Sequence, residues 1–127
     1  MSPLHKLFSF LPTPAPLKAR SRVHDLKWRL DWGEPALTII DARDRTQFNS
    51  GHILGAVSMP TSELLYRASS SVDRDRDLYV YGETDDETAE AVQLLRRAGY
   101  RRVSELRGGL AAWKAVGYPI ESLRIAA

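Results

Sequence analysis

Between Leu78 and Glu90 the sequence reads Leu-Tyr-Val-Tyr-Gly-Glu-Thr-Asp-Asp-Glu-Thr-Ala-Glu, an apolar run that breaks at Gly82 and then carries four carboxylates in five residues. Glu83, Asp85, Asp86 and Glu87 at that density allow several kinds of chemistry. Asp85 or Glu87 could act as a general base in a hydrolysis. The four together offer hard oxygen ligands for calcium or magnesium, or an acidic rim that steers a basic peptide or protein surface. They also suit a purely structural role. Thr84 and Glu87 stand at capping-box spacing, and Asp85 and Asp86 complement the positive end of a helix dipole, which by itself accounts for their presence. The spacing departs from the Asp-x-Asp-x-Asp-Gly calcium loop, so Glu83, Asp85, Asp86 and Glu87 are weak metal candidates; no metal and no cofactor are expected.

What is missing is as informative. The chain has no cysteine, which excludes disulfides, thiolate zinc sites, iron–sulfur clusters and cysteine nucleophiles with their persulfide chemistry. Nothing from Gly82 to Thr88 is an obvious replacement nucleophile. Elsewhere, Asp41 ends the apolar run Leu37-Thr38-Ile39-Ile40, and Arg43 follows two residues on. A carboxylate in that place braces a neighbouring loop by accepting N–H bonds, and the arginine is directed to the same side. His52, beside Gly51, has no serine or cysteine partner in view and reads as a hydrogen-bonded structural group.

The elements that must position these residues alternate. Ser21 is expected to cap a helix bearing Val23, Leu26 and Leu30 and ending near Trp32-Gly33. Leu37–Ile40, following Pro35, reads as a strand buried on both faces. Thr46–Asn49 makes a helical turn, Gly55–Met59 a second strand, and Thr61 or Ser62 caps a helix through Leu64, Leu65 and Tyr66. Ser69–Asp77 reads as a solvated loop. Leu78–Tyr81 is the central strand, followed by a helix from about Asp86 to Ala98 with Ala89, Val92, Leu95 and Ala98 buried, closed by Gly99. Val103–Leu106 supplies another strand, Gly108-Gly109 a turn, and Leu110–Val116 a last helix. Strand and helix alternating at this spacing imply an α/β domain with parallel pairing and right-handed crossovers.

At 127 residues the chain suits one domain, and 43% hydrophobic with 27% charged residues is ordinary for a globular protein. The net charge of +2 hides an asymmetry: Asp73 to Glu90 holds eight acids against Arg74 and Arg76, a local −6 that leaves +8 on the remainder. The basic excess, densest at Arg96, Arg97, Arg101, Arg102 and Arg107, lacks interleaved aromatic rings, so no nucleic-acid partner is expected. No apolar segment approaches the ~20 residues of a transmembrane helix, and a cytoplasmic location is expected. Residues 1–20, with four prolines and no acid, read as a flexible basic tail in which residues 4–11 could make a peripheral membrane or partner contact. The domain is expected over residues 21–121, with 122–127 a C-terminal tail; the oligomeric state is left open.

Taken together, Asp41-Ala42-Arg43, Gly51-His52-Ile53-Leu54-Gly55-Ala56, the strand-loop-helix from Tyr79 to Ala91, and Leu106-Arg107-Gly108-Gly109-Leu110-Ala111-Ala112-Trp113 with Gly117-Tyr118-Pro119 resemble a rhodanese-like domain. The chain is also similar to small single-domain rhodanese homologues of cyanobacteria. The resemblance implies a five-stranded parallel sheet flanked by helices on both faces. Active members are sulfurtransferases whose cysteine, at the end of the central strand, accepts sulfane sulfur as a persulfide, with loop N–H groups and basic residues facing the anionic donor. Carried onto this chain, the pattern puts Gly82 at the cysteine, Glu83 to Glu87 in the loop and Thr88 where a serine is frequent. The loop has therefore lost its sulfur and changed sign. The expectation is an inactive rhodanese-like domain that binds or regulates through its acidic loop, with weak or altered sulfur transfer or hydrolysis as the alternative.

Overall fold

The computed structural model describes residues 17–33 and 36–123. The expected contact at residues 4–11, Pro35 and the segment from Arg124 lie outside them. Along the chain run β1 (Arg20–Ser21), α1 (Val23–Asp31), β2 (Leu37–Asp41), α2 (Arg45–Ser50), β3 (His52–Ile53), β4 (Val57–Ser58), a 3-10 turn (Thr61–Glu63), α3 (Leu64–Ser71), β5 (Asp77–Tyr81), α4 (Asp85–Arg97), β6 (Val103–Leu106), α5 (Gly109–Ala115) and β7 (Ile120–Glu121).

Five strands form one parallel sheet in the order β1-β6-β5-β2-β4. The period-2 alternation of β-structure divides its side chains between two cores. On one face Ile40, Leu78, Val80 and Val103 pack against α3 (Leu64, Ala68) and α4 (Ala91, Val92, Leu95). On the other, Ile39, Tyr79, Tyr81 and Leu106 pack against α1 (Val23, Leu26) and α5 (Trp113). Burial on both faces is why β2 and β5 read as continuous apolar runs rather than alternating ones.

Several boundaries differ from the sequence reading. Ser21 does not cap α1. It is a buried residue of edge strand β1, its hydroxyl 2.6 Å from Ser104 Oγ, and Arg22 takes the N-cap position with its N–H donated to Asp25. Ala19 and Arg20, expected in the tail, join that edge: Ala19 O accepts from Glu105 N at 2.9 Å and Arg20 pairs with Glu105. Leu30 is partly exposed rather than buried. α2 begins after Asp44, whose side chain accepts from Gln47 N. Gly55 is a turn, and the strand after it shrinks to Val57–Ser58. Ser69, Ser70 and Ser71 belong to α3, not to a loop; each hydroxyl bonds back to a carbonyl of the preceding turn, Tyr66 O or Arg67 O, so the serines are satisfied within the helix. On α4 the buried stripe is Thr88, Ala91, Val92 and Leu95, an i, i+3, i+4, i+7 set that rotates Ala89 off its centre. His52–Ile53 pairs antiparallel with Ile120–Glu121 in a second, two-stranded sheet. Among the described residues no helix is long and apolar enough to cross a membrane.

Candidate functional site

Parallel register sets the site. Asp41, the last residue of β2, pairs with Tyr81, the last of β5, so the loops leaving both strands emerge side by side. At this carboxyl edge of an α/β sheet the next helix presents its unpaired N–H groups, which is where such folds hold ligands.

The loop after β5 is closed by its own side chains. Buried Thr88 Oγ1 accepts the Gly82 N–H at 2.7 Å and donates to Thr84 O at 3.0 Å. Thr84 caps α4, accepting Glu87 N at 3.1 Å. The reciprocal arm of the capping box is displaced by one residue: Glu87 Oε2 takes the N–H of Glu83 at 3.1 Å rather than that of Thr84. The N–H groups of Gly82, Glu83, Glu87 and Thr88 are thus all committed within the loop, the last to Thr84 O.

Glu83 and Asp85 turn towards the rest of the fold. Glu83 Oε2 accepts from Gln47 Nε2 at 3.0 Å and lies 3.7 Å from the Arg43 guanidinium. Asp85 accepts from Gly108 N at 2.9 Å and pairs with Arg107 at 3.3 Å. Asp86 and Glu87 are exposed. No group of three or more carboxylates or histidines among the described residues could hold a metal ion, and Glu83, Asp85, Asp86 and Glu87 form no such group.

Close approach beneath the loop depends on glycine. Gly108 and Gly109 adopt φ of +79° and +50°, and a Cβ on Gly109 would stand 3.3 Å from Gly82 O. The start of α5 therefore rests directly against the end of β5. Gly82 is itself confined: a Cβ there would meet Glu87 Cβ at 3.1 Å and Thr88 N at 3.2 Å.

Asp41 and Arg43 form a buried pair alongside. Asp41 Oδ1 accepts the Arg43 N–H at 3.0 Å, Arg43 Nη2 donates to Asp41 Oδ2 at 2.8 Å, and the same nitrogen donates to Gly51 O at 2.6 Å. Burial pulls the Arg43 pKa down, but the bond and charge of Asp41 more than offset it and leave it raised. The Asp41 carboxylate is thus engaged by Arg43 and Tyr81, and it is Arg43 that reaches Glu83. Tyr81, whose hydroxyl accepts Ile53 N at 3.1 Å, is raised above its usual pKa by burial and then by Asp41, so it stays protonated. His52 lies outside the loop. Its ring stacks on Phe48 at 3.6 Å and Nδ1 sits 2.7 Å from Phe48 O. Gln47, Arg107 and Gly108 are the site residues the sequence reading did not connect to the loop; they lie 36, 22 and 23 positions from their partners, and although Arg107 and the Gly108-Gly109 turn stood out locally, nothing local tied them to Asp85.

A family model for the rhodanese-like domain matches residues 22–116, and the chain belongs to that family. A crystal structure of the Alr3790 protein from Anabaena sp. is 59% identical, covers 81% of this chain and 80% of that one, and superposes with a TM-score of 0.80. The chain is 36% identical over 78 residues to the thiosulfate sulfurtransferase GlpE of Shewanella oneidensis, covering 61% of this chain and 76% of that protein. It is 35% identical over 75 residues to the uncharacterized protein YqhL of Bacillus subtilis, 59% of each. The chain spans between 42% and 59% of the length of YqhL and the other leading curated relatives it matches. It is therefore a rhodanese-like domain related to sulfurtransferases, and it contains no cysteine.

Proposed function

We propose that this domain has lost sulfur transfer and serves in the cytoplasm as a binding or regulatory module through the loop after β5. The observation that carries the reading is the state of that loop. Gly82 stands at the strand end with no side chain to carry sulfur, and its N–H and that of Glu83 are occupied by Thr88 and Glu87 rather than directed at an anion. Without a nucleophile, the two-step route through a covalent intermediate has no first step. The hydrolytic alternative draws less support. Asp85 already accepts from Gly108 N and pairs with Arg107, and Glu87 already accepts from Glu83 N.

The partner that fits is a basic protein or peptide surface. Asp86 and Glu87 are exposed, Glu83 is held by the buried Arg43 and Asp85 by the surface arginine Arg107, and a partner's lysines or arginines would compete for those carboxylates. Such a rim supplies register and steering more than affinity. Two measurements test the reading. Purified protein should transfer sulfur from thiosulfate or mercaptopyruvate to cyanide no faster than a Gly82→Ala control; a rate well above it contradicts the loss of catalysis. A pull-down should lose its partners in the Glu83→Gln, Asp85→Asn, Asp86→Asn, Glu87→Gln variant, and unchanged partners would remove the loop from the account.

A further inference from the structure

A cavity of about 600 Å³ lies at the other end of β5 from the loop, floored by Asp77 and Tyr79 and walled by Trp28, Tyr118 and Leu17. That volume is within the ~300–1,000 Å³ of ordinary binding pockets. Beside it the α1 face carries two exposed tryptophans one turn apart: Trp28 is 64% exposed and Trp32 69%, their rings 5.4 Å apart, whereas Trp113 is fully buried. Paired tryptophans facing water at a cavity rim are the kind of apolar patch that marks a docking surface.

The charges around the cavity are already matched to one another. Arg29 and Arg102 both bond to Asp77, Lys27 bonds to Asp31, and Lys18 lies 3.8 Å from Asp25. An ionic occupant would have to displace these pairs. An uncharged one that packs on the rings need not.

The sequence immediately before the cavity has that character. Pro12-Thr13-Pro14-Ala15-Pro16 carries no charge, and its prolines have no backbone N–H to strand in an apolar groove. Aromatic-lined grooves are what proline-rich segments dock into. Its position is also right. Leu17, the residue after Pro16, is itself a wall of the cavity and packs on the core beneath α1, so the segment joins at the rim. We propose that Pro12–Pro16 docks in this cavity against Trp28, covering the α1 face from within the same chain. This site is separate from the loop after β5 and does not rest on the function proposed for it.

The test uses the full chain carrying Trp32→Phe, so that emission comes from Trp28 and the buried Trp113. Its acrylamide quenching is compared with that of the same chain also bearing Pro12→Ser, Pro14→Ser and Pro16→Ser. Docking requires the serine variant to be quenched about twofold more strongly and to emit further to the red, and the free peptide Pro-Thr-Pro-Ala-Pro at millimolar concentration, the effective concentration a short tether supplies, to reverse part of the change. Equal quenching overturns the proposal. A second measurement exploits the absence of cysteine: Ala15→Cys with Lys27→Cys should form an intramolecular disulfide under mild oxidation about tenfold faster than the same cysteine pair in a chain also bearing Pro12→Ser, Pro14→Ser and Pro16→Ser, because the tether is the same length in both and only docking raises the effective concentration at the groove. Equal rates also overturn it. A Trp28 that is protected only when phosphatidylglycerol vesicles are added would assign the face to a membrane surface and overturn it as well.

Discussion

Restoring the cysteine should not by itself restore a sulfurtransferase, and the structure says by how much it should fall short. In Gly82→Cys the new Cβ stands 3.1 Å from Glu87 Cβ and 3.2 Å from Thr88 N, so the first turn of α4 must give by a few tenths of an ångström. Electrostatics adds a second obstacle. A thiosulfate dianion about 6 Å from the Glu87 carboxylate is repelled by about 1.4 kcal/mol in a water-like dielectric, and by about 5.5 at an effective value near 20. The lower figure applies because Glu87 is exposed, and 1.4 kcal/mol corresponds to about tenfold. Adding Glu87→Gln to Gly82→Cys should therefore raise kcat/KM for thiosulfate about tenfold. Adding Glu83→Gln should do less, because Arg43, 3.7 Å away, already offsets much of that charge. The assay is steady-state thiosulfate–cyanide transfer, with single-turnover persulfide formation to separate chemistry from binding. The Glu87 effect should shrink in 1 M salt, where the screening length falls to about 3 Å. Full activity from Gly82→Cys alone, or no response to Glu87→Gln, would refute the reasoning.

Three further outcomes follow from the same geometry. Thr88→Val removes the acceptor of the buried Gly82 N–H and should cost about 1–3 kcal/mol in urea unfolding, with Thr88→Ser close to the parent. Arg43→Leu leaves the fully buried Asp41 carboxylate without its guanidinium and should cost about 3–5 kcal/mol by the same measurement, whereas a loss below 1 kcal/mol would mean the pair is not buried in solution. Burial works to raise the Asp77 pKa, but hydrogen bonds from Arg102 and Arg29 outweigh it and hold the carboxyl below its usual range. The stabilisation is thus complete above the unfolded carboxylate value and is lost as pH falls through the lower folded one. The stability gap between the parent and Asp77→Asn should close as the pH drops below about 4, and a gap that is constant with pH would contradict the assignment.

Local patterns carried the sheet and its main helices. Leu37–Ile40 and Leu78–Tyr81 could be read because strands buried on both faces are nearly continuous apolar runs, Val103–Leu106 from its place between the glycine that closes α4 and the Gly108-Gly109 turn, and Thr84 before an acidic first turn marks the start of α4 whatever surrounds it. Of the two-residue strands, Val57–Ser58 was legible only as part of the longer Gly55–Met59 run, and two others left no trace. Arg20–Ser21 and His52–Ile53 are held by backbone pairing with residues far along the chain, and a pair of residues is too short to show a period.

The sequence by itself determined that no thiol chemistry is possible, since that needs only the absence of cysteine, and that four carboxylates crowd the turn after the central strand. Whether those carboxylates stand open to a partner was decided by the tertiary structure alone. Parallel pairing brings Arg43 and Gln47 to Glu83, and the glycine turn before α5 brings Arg107 and the Gly108 N–H to Asp85. The acidic loop is consequently half satisfied by its own fold, because a charge's partners are set by where distant segments cross and not by its neighbours in sequence.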